Sequence, residues 1–201
     1  MPQVSGDQVR LYWKYMQKQY RFKVVDKDDA GEMQLIGWAL DTMGIQDQDY
    51  FLHNYTTTVG SKIYIPFEVG VGTQKQLVGQ IMTCAHECQH IVQSRRDPMY
   101  EIKYLTSDAA RTLYEVDAYQ ANMEIHWWWY QKTLNPTILV NTLKGYSIDA
   151  PNRRVAKKRF ISANKMIEYG GVTTGTAIKT IRWCNRNLKP ARSRTVRVIK
   201  V

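Results

Sequence analysis

The stretch TCAHECQHIVQ, Thr83 to Gln93, places two of the chain's 4 histidines four residues apart, with an acid directly after the first. A helix turns about 100° per residue, so His86 and His90 fall about 40° apart, one turn above the other. At that spacing two imidazoles can reach one tetrahedral cation at roughly 2.0–2.1 Å. Glu87 sits beside them, placed to meet a water on such a cation rather than the cation itself. A carboxylate there can take the water's proton and hand it to a leaving group. Cys84 and Cys88 each precede a histidine by two residues, so they point about 160° away and read as small core residues.

The surrounding pattern supports a helix from about Gln74 to Gln93, with Leu77, Ile81, Cys84 or Ala85, Cys88 and Val92 as its buried stripe. The run SRRDP, with Pro98, ends it. A catalytic cation needs a third protein ligand. The extended pattern HExxHxxGxxH is excluded, because Gln93 and Arg96 stand where it has Gly and His. The next helix, from near Ser107 to about Lys132, carries LYEVDAYQANMEIH instead, with Asp108 favourable in its first turn. Glu115 lies 25 residues after His90, enough chain for a loop and an antiparallel return. Glu115, Tyr119, Asn122 and His126 share one face of that helix, whereas Asp117 and Glu124 lie about 200° and 180° round from Glu115. Glu115 is therefore preferred over Asp117 as the third ligand.

Further out, Ser5 can cap a helix through about Tyr20, striped by Val9, Tyr12, Tyr15 or Met16, and Tyr20. A second helix is expected from Asp28 or Asp29 to Gly44. The segment YFLHNYTTTVGSKIYIPF reads as a β-hairpin, Tyr50 to Thr58 against Lys62 to Phe67, with Pro66 confining the second strand to a sheet edge or to its own end. His53, inside that run, reads as a structural histidine. Helices are expected at 136–145, across PNRRVAKKRFISANKMIEYGG and at 176–187, followed by the basic tail KPARSRTVRVIKV. The run WWWY, Trp127 to Tyr130, covers nearly the whole circumference of a helix, so its rings cannot all face one core. Packing plus a protein interface accounts for it better than a substrate-stacking site.

These elements give an α+β class: a mainly helical domain over residues 1–150 with a small β-hairpin beside the HECQH helix, then a basic helical extension at 151–201. Residues 151–201 hold 14 Lys or Arg against one acid, Glu168, while the first 150 residues balance to −3. That asymmetry points either to a solvated surface or to an acidic partner: nucleic acid, an acidic protein face, or a neighbouring subunit in an oligomer or larger assembly. The 3 cysteines argue against a disulfide framework. No apolar run suits a signal peptide or a membrane span, which gives the expectation of a cytoplasmic protein with no membrane partner.

The stretches HECQH and EVDAY together resemble the glutamate-zincins, or thermolysin-like metallopeptidases, which carry HExxH on one helix and ExxA followed by an acid on a later one. The wider run TTTVGSKIYIP…AHECQHIVQ is similar to small bacterial and phage-encoded metallopeptidases with a T-x-G-x-x-I-Y hairpin ahead of AHExxHxxQ. The resemblance covers about Thr56 to Asn122. It implies a zincin-like fold, Zn2+ held by His86, His90 and Glu115, Glu87 as general base, and a protein or peptide substrate lying along the strand near Ile63 to Phe67. One position departs: the family's acid after ExxA, which orients a ligating histidine, is Tyr119 here. Tyr119 or His126 would then be candidates to stabilise an oxyanion. The competing expectation is a structural or virion-associated assembly protein that keeps the fold without proteolysis.

Overall fold

The computed structural model describes residues 2–27, 31, 56–188 and 197–198. The helix expected at 28–44, the Tyr50–Tyr55 part of the hairpin, His53 and most of the basic tail lie outside the described residues.

The first helix, α1 (Gly6–Tyr20), begins where Ser5 accepts from the Gln8 amide while the Gln8 side chain accepts from the Ser5 amide. Such reciprocal capping satisfies two donors that a helix start leaves open. Its buried residues are Val9, Tyr12, Trp13, Met16 and Tyr20. The short strand β1 (Lys23–Asp26) follows and pairs in parallel with β3 (Lys62–Ile65), which pairs antiparallel with β2 (Thr57–Val59). Gly60, at φ 55°, turns the β2–β3 hairpin in the left-handed region that glycine enters without steric cost. β3 is thus the central strand of three. Pro66 falls just past its end, where no ladder donor is needed.

Helix α2 (Gln74–Arg96) carries the HECQH motif and repeats the capping box, Thr73 with Gln76. The short α3 (Tyr100–Thr106) leads to α4 (Asp108–Tyr130), whose first turn is capped by Ser107. Then come α5 (Pro136–Thr142), a 3-10 turn over Leu143–Tyr146, α6 (Ala150–Glu168) and α7 (Gly175–Asn187). The two-residue β4 (Gly171–Val172) pairs in parallel with β5 (Arg197–Val198), tying part of the C-terminal tail back to the body.

Helices α2 and α4 pack together more extensively than any other pair, and they run antiparallel: Gln93 meets Tyr114, His90 meets Glu115 and His86 meets Asn122. Two apolar clusters flank α4. One gathers α1, the sheet, α2 and α7, with Cys84, Cys88 and Cys184 fully buried in it. The other gathers Val116, Met123, the 136–148 region and the inner face of α6 around Phe160. The aromatic run is divided accordingly: Trp128 and Trp129 sit in the first cluster and Trp127 packs against the second. A helix between two cores has no spare face for rings, which explains why three consecutive tryptophans fold without an exposed aromatic patch there. The architecture is α+β and mainly helical, with the small mixed sheet beside α2. From Ala150 onward, α6 and α7 pack into the same two clusters as the site-bearing helices. No helix among the described residues is long and apolar enough to cross a membrane.

Candidate metal centre

His86, His90 and Glu115 converge between α2 and α4, with donor atoms lying within 4.8 Å of one another. The imidazole Nε2 atoms are 3.1 Å apart; Glu115 Oε2 lies 3.6 Å from His86 Nε2, and Glu115 Oε1 lies 3.5 Å from His90 Nε2. Ligands around a tetrahedral ion with bonds near 2.0 Å stand about 3.3 Å from each other. The three side chains therefore already hold about the spacing that a metal demands.

Their surroundings fix which atoms point inward. Gln93 donates its Nε2 to the Tyr114 carbonyl at 2.9 Å, which turns its Oε1 toward His90 Nδ1, also at 2.9 Å. An oxygen facing that nitrogen requires a proton on Nδ1, so the His90 Nε2 lone pair faces the centre. The Tyr100 hydroxyl, 3.0 Å from the same Nδ1, adds a second anchor. At His86, Nδ1 lies 3.4 Å from the Asn122 amide, whose Oδ1 is buried without a partner. With that amide turned over so that its oxygen faces Nδ1, both groups are satisfied and His86 takes the same tautomer. The Tyr119 ring edge, 4.8 Å between centroids, completes the wall behind His86.

Glu115 is fully buried, and only one of its oxygens is hydrogen-bonded: Tyr104 donates to Oε1 at 2.6 Å, while Oε2 has no hydrogen-bond partner. A buried carboxylate oxygen left bare costs on the order of 1–3 kcal/mol or more unless a cation faces it. Burial opposes charge on Glu115, yet the two imidazoles outweigh it and hold the carboxyl below its usual range. Burial likewise opposes a charged His86, and Glu115 overrides it, raising that imidazole. Burial and the Glu115 charge push the Tyr104 phenol well up, so it stays a donor. The arrangement is an electronegative pocket that favours a positive charge, whether a proton on His86 or a metal ion. The donor set fits a divalent cation.

Glu87, next along α2 and 4% exposed, accepts a hydrogen bond from the Thr58 hydroxyl of β2 at 2.7 Å. Lys27, at the end of β1, is buried and its amine is lowered to about 8; burial is the cause, partly offset by the charge of Glu87. The sheet thus brings both a hydroxyl and an amine into the neighbourhood of this acid.

Two sequence expectations, for His126 and Tyr119, end elsewhere, while Glu124 and Asp117 lie off the Glu115 face as their angular spacing requires. His126 does not join the stripe facing the histidines, because its Nδ1 is 2.8 Å from the Lys132 carbonyl just past the end of α4 and its ring lies on Tyr130. The Tyr119 hydroxyl is turned toward Tyr146, 3.5 Å away. Glu124 serves the fold: it accepts from the amides and hydroxyls of Thr173 and Thr174 and from Gln120, and so anchors the start of α7. Asp117 points away from the histidines into a cleft described below. What the sequence reading missed is the supporting set of Gln93, Tyr100 and Tyr104. A signal existed in the HxxxHxxQ spacing and in the two tyrosines four residues apart on the connecting segment.

The class of site is therefore a buried two-histidine, one-glutamate centre able to hold a metal ion. Comparison with known protein families, with curated proteins and with solved structures gives no match to this chain.

Proposed function

We propose that the protein is a zinc-dependent metallopeptidase in which His86, His90 and Glu115 hold the ion and Glu87 is the general base. The observation that carries this reading is the bare, fully buried Oε2 of Glu115, 3.6 Å from His86 Nε2, beside His90, whose contact with the Gln93 oxygen leaves its Nε2 lone pair inward. Two neutral nitrogens and one carboxylate suit zinc better than calcium or magnesium, which prefer all-oxygen sites. Bound there, such an ion would polarise a carbonyl and lower the pKa of a water.

The chain's own residues supply the rest. Glu87 takes a proton from the attacking water and returns it to the departing amine, a role suited to a carboxylate beside the ligands but not among them. The Thr58 hydroxyl holds one Glu87 oxygen, leaving the other to work on water. Lys27 lends positive charge near Glu87. β3 is paired on both sides, so the Ile63 to Phe67 strand has no open edge; among the described residues, β2 beside α2 is the edge strand against which an extended peptide can pair.

A second reading has its own support. His86, His90 and Glu115 are at most 6% exposed, and a closed site is typical of structural rather than catalytic ions. On that reading the protein binds or assembles, and the ion staples α2 to α4. Glu87→Gln separates the two. If the protein is a peptidase, the variant keeps its metal and loses casein or peptide-library cleavage by about 10²–10⁴-fold. Metal-loaded wild type with no cleavage above the variant's level would favour the structural reading.

A further inference from the structure

A second feature lies on another face of the same helix pair. Asp117 and Gln120 stand about 200° and 140° round α4 from Glu115. There a cleft of about 900 Å³ opens between α2, α4, α6 and the start of α7. Four cationic side chains from three helices line it: Arg96 of α2, Lys158 and Arg159 of α6, and Lys179 of α7. Against them stands one acid, Asp117, half-buried and with its carboxyl raised by burial despite Arg159 and Arg96 nearby. Between the charges lie polar groups able to donate hydrogen bonds, Gln89 and Ser162, and an apolar floor that includes Val92 and Met166.

Like charges gathered around a concavity repel one another, and the local field is relieved by a bound anion. The start of α7 is not what makes this site, because Glu124 already occupies the Thr173 and Thr174 amides. The charge comes from the side chains. It also continues past the cleft: Arg154, Lys158 and Lys165 share one face of α6, with Arg154 and Lys165 exposed on either side of the cleft-lining Lys158. A compact anion would need only the cavity, whereas a row of cations leading out of it suits a strand with charge at repeated intervals. Arginine forks and lysine point charges match phosphate geometry, and Lys179 is held in place with its Nζ 4.4 Å over the buried Tyr20 ring.

We infer that this cleft binds the phosphate backbone of single-stranded nucleic acid, seated by Arg96, Lys158, Arg159 and Lys179 and led out along α6. The site works without the metal centre, so its success or failure leaves the peptidase reading untouched.

The test is fluorescence anisotropy of the full chain with a labelled mixed-sequence 12-nucleotide DNA at 50 and 200 mM salt. Four phosphate contacts predict that affinity falls by roughly 50-fold over that range, since each contact to a single strand contributes about 0.7 to the log–log slope. Lys158→Gln with Arg159→Gln should cut the slope by about half, and Arg96→Gln with Lys179→Gln should do the same. A control pair on exposed cations away from the cleft, Lys14→Gln with Lys75→Gln, should leave it unchanged. No binding at 50 mM salt, an equal loss in the control pair, or displacement of the DNA by a charge-matched polyglutamate peptide at equal concentration would each overturn the proposal.

Discussion

On one face of the α2–α4 pair, His86, His90 and Glu115 are buried and held from behind by Gln93, Tyr100, Tyr104 and Asn122; on another, Arg96, Lys158 and Arg159 stand exposed around a cleft. Both faces concentrate charge. On the first, the polar atoms are taken from water, so each must find a partner, and a carboxylate oxygen left bare, Oε2 of Glu115, specifies what is missing. On the second, water satisfies every group singly, and the information lies only in how many cations converge. A buried site therefore acts through individual atoms, whereas an exposed one acts through summed charge that salt can screen.

That contrast can be broken first at its scaffold. Trp128 is fully buried between α4 and α7, its indole N–H donating to Asn185. Trp128→Ala should destabilise by about 3–5 kcal/mol, read by urea unfolding. It should weaken both faces together, since both hang on α4. A narrower cut is Gln93→Ala, which frees His90 Nδ1 without touching a proposed ligand. Metal affinity should drop by about 10–100-fold, followed by chelator competition, with little change in DNA binding.

Lys27 gives a pH signature confined to the buried side. Its amine titrates near 8 when folded and at its ordinary 10.5 when unfolded. Above about pH 8 the unfolded chain then carries the extra proton, so stability rises with pH between about 8 and 9.5 through this group. Below pH 8 both forms are charged and its contribution is flat. Burial raises the Cys84 and Cys184 thiols, which opposes this rise, so the Lys27 effect is read from thermal melts as the stability of wild type minus that of Lys27→Met, which should increase across the range. The smallest effect belongs to the exposed face. Lys158→Gln with Arg159→Gln should alter stability by no more than about 0.5 kcal/mol, while the DNA salt dependence changes as described.

Long helices were readable in the sequence because their signals are local. The capping residues Ser5 and Ser107, the 3.6-residue stripes of α1 and α2, and Pro136 at the start of α5 each act within a turn or two. Among the elements that escaped are β1 and α3. The four residues of β1 become a strand only by pairing with β3, nearly 40 positions on, and α3 is a single short stretch steadied by Arg111 donating to the Tyr104 and Leu105 carbonyls. At the site, His86, His90 and Glu115 were legible from angular spacing alone. His126 was misread for the same reason: wheel geometry places a side chain on a face but not against what lies past the helix end, where the Lys132 carbonyl captures it. The cleft was visible only as charge composition, since its walls come from segments as far apart in sequence as Tyr20 and Lys179.

The most direct measurement is elemental analysis of protein purified without chelators, beside Glu115→Ala and after addition of Zn2+ to both. The account predicts about one zinc per wild-type chain, a melting temperature that falls on chelation, and neither property in the variant. Wild type that is metal-free as isolated and takes up no added zinc would contradict it.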